Sequence, residues 1–201
     1  MTSIDYVTLE VADPTAANRF YSAVLGLEHV RVQASDAPTT GFRGFTLSLV
    51  VSQPATVNNL IGAALEAGAT PLKPAAKSLW GYGGVVQAPD GTIVTVASSS
   101  KKDTGPAARE IDELVLQLGV ADVAATKRFY VDRGFDVAKS YGRRYVQFDS
   151  GPVTLALYKR RGLAKVSGVS PDGSGSHRIA VGSDAGPFTD PDGFGWEATS
   201  R

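Results

Sequence analysis

Apolar and polar residues alternate along most of Ile4-Asp5-Tyr6-Val7-Thr8-Leu9-Glu10-Val11, the period-two signature of a half-buried strand. Read in the same way, the first half predicts a strand at 4–11, a helix at 14–25 and strands at 28–33 and 44–51. A helix at 57–67 and strands at 84–88 and 92–97 follow. The second half predicts a strand at 111–120, a helix at 123–133 and strands at 135–140, 144–149, 153–159, 178–182 and 194–199. Within 58–68, Leu60, Ile61, Ala64 and Leu65 share one stripe and Gly68 ends it, as an amphipathic helix requires.

The pattern occurs twice. Ala12-Asp13-Pro14-Thr15-Ala16-Ala17-Asn18-Arg19-Phe20-Tyr21 is matched by Ala121-Asp122-Val123-Ala124-Ala125-Thr126-Lys127-Arg128-Phe129-Tyr130, each after an alternating strand and each followed by a glycine, Gly26 or Gly134. An Asp ahead of the first turn caps its free N–H groups, and Pro14 at the first helical position loses no hydrogen bond. Phe20 and Val24, one turn apart, share a face. A tight Pro-Asp-Gly turn also recurs, Pro89-Asp90-Gly91 before residues 92–97 and Pro191-Asp192-Gly193 before 194–199. The period is too long for a solenoid and indicates tandem duplication. The small and polar run at 98–108 marks the joint, which divides the chain into a first domain at 1–98, a linker at 99–108 and a second domain at 109–201. The Gly/Ser-rich stretch 168–176 reads as a mobile loop.

Composition narrows the chemistry. The 201 residues are 43% hydrophobic and 20% charged, with zero formal net charge and no cysteine. Thiol nucleophiles, thiolate metal sites and disulfides are excluded. Zero charge gives no pull toward nucleic acid or an anionic membrane. The N-terminus lacks a basic leader and no apolar run reaches membrane length, so a cytoplasmic location is expected. No Gly-x-Ser-x-Gly elbow is present, and Gly81-x-Gly83-Gly84 lacks the Lys-Ser/Thr of a phosphate loop. The basic residues Arg143, Arg144, Lys159, Arg160 and Arg161 read as solvated strand edges, and Phe188 and Phe194 as core.

Strand, Asp-capped helix ending in Phe-Tyr, glycine exit, further strands and a Pro-Asp-Gly strand together resemble the vicinal-oxygen-chelate superfamily, which includes glyoxalases, bleomycin-resistance proteins and extradiol dioxygenases. The resemblance spans nearly the whole chain. It implies an α+β fold of tandem βαβββ modules, in which cupped antiparallel or mixed sheets carry helices outside. The modules are uneven: the first lacks part of its hairpin between Gln33 and Phe45, and the last lacks its helix. Which modules pair is open, as is a homodimer, because such cups form within or between chains.

Metal-using members place a His on a module's first strand and a Glu after the Pro-Asp-Gly turn. In the first half these positions fall on Tyr6, Thr46 and Thr95, none of them a suitable ligand. In the second half they fall on Glu113 or Val115, on His177 or its neighbour Arg178, and on Glu197. Alternation turns Glu113, Val115 and Gln117 toward the cup and Leu114, Leu116 and Leu118 toward the helices. His29 reads as a half-exposed strand residue. The expected ligand-binding set is Tyr6, Thr8, Glu10, Trp80, Tyr82, Glu113, Gln117, Arg178 and Glu197, with Arg178 as partner of Glu197 and Trp80 and Tyr82 as an aromatic wall. No catalytic residue is assigned. The resulting expectation is a cofactor-free protein that sequesters an apolar or aromatic small molecule, in the manner of the bleomycin-resistance, antibiotic-sequestering branch. The alternative is a glyoxalase-like lyase or isomerase, or a dioxygenase-like enzyme, with one divalent metal (Ni, Zn, Mn or Fe) on Glu113, His177 and Glu197.

Overall fold

Two twisted sheets share one apolar core, and each takes strands from both halves of the chain. The computed structural model describes residues 2–175 and 177–199. Strand β1 (Ile4–Val11) leads into α1 (Pro14–Asn18), which continues as one π-helical turn over Arg19–Val24 before β2 (Val30–Ala34). After the short β3 (Thr39–Gly41), a complete module runs β4 (Phe45–Val50), α2 (Pro54–Glu66), β5 (Thr70–Ser78), β6 (Gly81–Gln87) and β7 (Ile93–Ser98). A second complete module runs β8 (Glu113–Val120), α3 (Val123–Val131), β9 (Asp136–Tyr141), β10 (Tyr145–Asp149) and β11 (Val153–Lys159). Helix α4 (Arg160–Ser167) and β12 (Gly173–Gly175) precede a last group, β13 (Ile179–Ser183), β14 (Phe188–Thr189) and β15 (Gly195–Ala198).

The complete modules join through the antiparallel pair β4–β8, giving the eight-stranded order β5-β6-β7-β4-β8-β11-β10-β9. The reduced modules join through β1–β13, giving β14-β15-β13-β1-β2. In both complete modules the first strand pairs in parallel with the last, β4 with β7 and β8 with β11. In the first module β1 pairs in parallel with β2, so β2 fills the last-strand place and the hairpin is missing, as the sequence indicates. No helix lies between β13 and β15 either.

Some elements depart from the sequence pattern for identifiable reasons. β5 carries Pro71 and Pro74, which hide its alternation; prolines are tolerated there because β5 is an edge strand with register shifts. Residues 160–167 form a helix rather than a solvated strand end. Leu163 and Ala164 are fully buried, and Arg160 donates from Nε to the Pro171 carbonyl (2.9 Å) and from Nη2 to the Phe42 carbonyl (2.5 Å). Residues 173–175 pair with β3 instead of forming a plain loop, while Ser176 lies outside the described residues. Segment 99–108 is docked on the start of α2: Asp103 accepts from the Ala55 N–H (2.7 Å), and the side-chain Oε1 of Gln53 accepts from the N–H groups of Thr104 and Gly105.

The repeated motifs find their purpose in a repeated bond. Tyr21 donates to Asp90 Oδ1 (2.5 Å), and Tyr130 donates to Asp190 Oδ2 (2.6 Å). Each bond ties the Phe-Tyr end of a helix to the turn ahead of a module's last strand. Burial, with the neighbouring carboxylate second, pushes both phenols well above their ordinary range, so they act only as donors. The surroundings differ. Asp90 also faces Arg43 (3.6 Å; the side chains are 5% and 8% exposed) and accepts from Thr92. Among the described residues no cation pairs with Asp190; its Oδ1 accepts from the backbone N–H groups of Asp192 and Phe194, and burial raises its pKa.

Tyr130→Phe is expected to cost about 1.5–3 kcal/mol, the range for a hydrogen bond to a charged group, read as a lower urea midpoint with unchanged slope. At the α3 N-terminus, the backbone N–H groups of Ala125 and Ala124 hold Asp122 below the usual carboxylate range. A depressed carboxylate stabilises above its unfolded pKa and loses that contribution as pH falls through its folded value. The melting-temperature gap between Asp122→Ala and the parent protein should therefore close on acidification below the ordinary carboxylate range.

Candidate functional site

The concave face of the eight-stranded sheet is the best-formed site. Leu47 and Leu49 of β4, Val94 and Val96 of β7, and Leu116 and Leu118 of β8 point to the helices and are fully buried. Their alternating neighbours Thr46, Ser48, Thr95, Val115 and Gln117 face the cup. The two central strands meet at Thr46, which donates to Gln117 Oε1 (2.7 Å), and Gln117 Nε2 lies 3.4 Å from the Tyr158 hydroxyl. A second chain runs from the Tyr145 hydroxyl to Gln147 Oε1 (2.8 Å) and from Gln147 Nε2 to Glu113 Oε1 (3.4 Å). Thr154 also donates to that oxygen (2.5 Å). The Tyr145 ring stands 4.9 Å from Tyr158 at 70° and 5.8 Å from Tyr141 at 32°. Burial raises the Tyr145 and Tyr158 pKa values, for Tyr145 with help from Tyr158, Glu113 and Tyr141, so these phenols are neutral donors at ordinary pH.

Helix α4 closes one end of this cup. Leu163 and Ala164 join Phe42, Val85 and Ile93 in a separate apolar cluster, and Tyr158 packs on its margin. Gly119 lets the helix approach, since a side chain there would meet Arg160 and Leu163. Lys73 of β5 donates to the carbonyls of Lys165 and Val166 (both 2.8 Å), satisfying free groups at the helix C-terminus. Beside it, a cavity of about 410 Å³ has Gly83, Val85, Thr95 and Ala97 as floor and Lys77, Trp80 and Val166 at its rim. Trp80 is 85% exposed at the β5–β6 hairpin tip, next to Leu79 at 79%.

The residues expected to bind ligand divide into separate groups. Glu113 and Gln117 face the cup and Trp80 stands at its rim. Tyr82 lies beside the cavity under Trp80, but its hydroxyl is turned to α2, donating to Asn58 (2.9 Å). Tyr6, Thr8 and Glu10 lie on the five-stranded sheet, where Thr8 donates to Glu197 (3.2 Å) and Arg31 sits 3.4 Å over the Tyr6 ring. The expected Glu197–Arg178 pair does not form. Arg178 has φ 58°, left-handed backbone that interrupts strand alternation just before β13, and its Nη2 donates to the Ser35 carbonyl (2.7 Å). His177 points into neither cup. Its Nδ1 and Nε2 each lie 2.7 Å from a carbonyl oxygen, of Arg43 and Asp192, and its ring stacks on Phe194 at 3.9 Å. Glu113, His177 and Glu197 therefore do not converge. His29, half-buried, is bonded to the Asp5 carbonyl. The residues that sequence reasoning missed are Tyr141, Tyr145, Gln147, Thr154 and Tyr158; β10 and β11 alternate clearly enough to place them on the inner face.

No family model and no curated protein sequence matches the chain. Solved structures do. Glyoxalase I from Zea mays superposes with a TM-score of 0.62 at 13% identity, over 98% of this chain and 92% of that one. A Bacillus subtilis protein proposed to be a dioxygenase gives 0.56 at 14% identity, over 90% and 69%. The chain has the vicinal-oxygen-chelate fold. At these identities the likeness establishes architecture, and it extends across both tandem halves. Vicinal-oxygen-chelate metal sites draw ligands from the central strands of a cup. Here the places named from the resemblance carry Thr46, Thr95 and Glu113 or Val115, with Ser48, Gln117, Thr154 and Ala156 on the same inner face. Among the described residues no three His, Asp or Glu side chains gather within reach of one ion. The donor set does not fit a metal.

Leu163 is fully buried where α4 plugs the cup. Leu163→Ala should cost about 2–5 kcal/mol. It should also raise hydrogen exchange in α4 ahead of the central strands, measurable by mass spectrometry.

Proposed function

We propose that this protein binds a small organic molecule in the cup between β5 and β9, without a metal cofactor. The observation that carries this reading is the chemistry of the four central strands: hydroxyl, amide and methyl side chains line the inner face and Glu113 is their one carboxylate, where a metal would need several imidazole or carboxylate ligands. Around them lie the features of an organic ligand site, a concave face with few fixed polar groups and abundant ring surface. Tyr145, Tyr158 and Tyr141 supply rings on one side, and the 410 Å³ cavity under Trp80 offers an apolar slot on the other. Gln117, Gln147 and Thr154 can orient a bound molecule, since their hydrogen bonds already hold their rotamers. Sequestration of an apolar or aromatic compound is the function that this lining supports best.

Titration with flat aromatic compounds should quench the emission of exposed Trp80, and Trp80→Phe should remove most of the signal, because Trp196 is buried elsewhere. Trp80→Ala should weaken binding about 2–10-fold, the worth of one stacked ring. Elemental analysis of the purified protein should find well under one equivalent of Ni, Zn, Mn or Fe. Stoichiometric metal that disappears in Glu113→Ala would overturn the reading.

A further inference from the structure

We infer that the tyrosine-lined end of the cup selects an organic cation, a small molecule bearing a protonated amine or a quaternary nitrogen. The inference rests on the small-molecule reading above and adds the charge of the ligand.

Glu113 is half-buried at the start of β8. The partners of its Oε1 are neutral, the Thr154 hydroxyl and the Gln147 amide. Among the described residues the one ion pair is Arg43–Asp90, so no side chain pairs with Glu113, not even Arg109 and His29, which line a cavity with it. Lys139 stands opposite Gln147 on edge strand β9, but it is exposed and makes no ion pair with Glu113. A carboxylate partly withdrawn from water without a counter-charge is costly, and a cationic ligand would offset that cost.

The rings point to the same ligand. Tyr145 and Tyr158 meet at 70°, forming two walls of a corner, and Tyr141 extends the Tyr145 wall toward solvent at 66% exposure. Aromatic faces carry negative charge density and attract a cation within about 6 Å of the ring centre. Gln147 links the corner to the carboxylate, bonded to the Tyr145 hydroxyl through one end of its amide and to Glu113 through the other. Rings and acid are thus held as one unit. The lysines near the cup do not oppose a cation here. Lys73 is committed to the α4 carbonyls, and Lys77 lies at the rim of the other half.

Calorimetric titration of the intact chain with 2-phenylethylammonium, 2-phenylethanol and phenylacetate tests the inference, since the three share one ring and differ in charge. The ammonium should bind about tenfold or more tighter than the alcohol, with phenylacetate weakest. Glu113→Gln keeps an acceptor for Thr154 and should bring the ratio of ammonium to alcohol affinity down to about one. Should that variant fold poorly, Tyr141→Leu, at an exposed position, should weaken the ammonium about threefold with little change in melting temperature. Equal affinity for ammonium and alcohol, or a preference that survives both substitutions, overturns the inference and leaves the small-molecule reading standing. If none of the three binds while neutral aromatics still quench Trp80, the cation assignment alone fails. If nothing binds and Trp80 emission is indifferent to every aromatic, both fail.

Discussion

A buried phenol donating to a buried carboxylate, made twice, sets the frame for everything else in this molecule. Tyr21 holds Asp90 and Tyr130 holds Asp190, and each bond spans about seventy or sixty residues of chain. A last strand is positioned against a helix that belongs to the preceding module, so neither module of a half can place its sheet alone. Ionised carboxylates are tolerated at such depth only when hydrogen-bonded. The two halves satisfy that condition differently, one with Arg43 and Thr92, the other with two backbone N–H groups. The bond survives the change of surroundings because the helix end and the turn must stay together whatever lies beside them.

That frame carries two sheets of unequal completeness. The reduced sheet has shed the hairpin of one module and the helix of another, and its open face is occupied by its own side chains, with Arg31 over Tyr6 and Glu197 held by Thr8. The full sheet keeps both modules, and helix α4 fills one end of its hollow. The open part of that hollow is therefore shaped by a helix outside the repeated pattern. What remains open is lined by the rings of Tyr145 and Tyr158, the amides of Gln117 and Gln147, and the carboxylate of Glu113.

Much of this was legible in the chain. The alternation in residues 4–11 and 111–120, the capped helices and the Pro-Asp-Gly turns indicate tandem modules, and inward-facing Glu113 and Gln117 follow from period two alone. Tyr145, Gln147 and Tyr158 obey the same rule; their role stayed hidden because a tyrosine on a strand is as consistent with core as with a site. Tyr82 does border the cavity under Trp80, but the glycine-rich strand gave no sign that its hydroxyl would be held by Asn58 of α2. The readings of His177 and Arg178 failed for a sharper reason. Both precede β13, and the left-handed backbone at Arg178 cancels the parity on which either inward assignment would rest.

The sequence by itself determined which faces of the strands are apolar, where the two Asp-capped helices begin and that no thiol chemistry is available, because periodicity, capping and composition are local properties. Tertiary structure alone decided that β4 pairs with β8 and β1 with β13, that Glu113 and Glu197 occupy different sheets, and that residues 160–167 plug a cup. Those outcomes depend on pairings between segments far apart in the chain. Such pairings are selected by how whole faces fill space together, a quantity that no short window of residues contains.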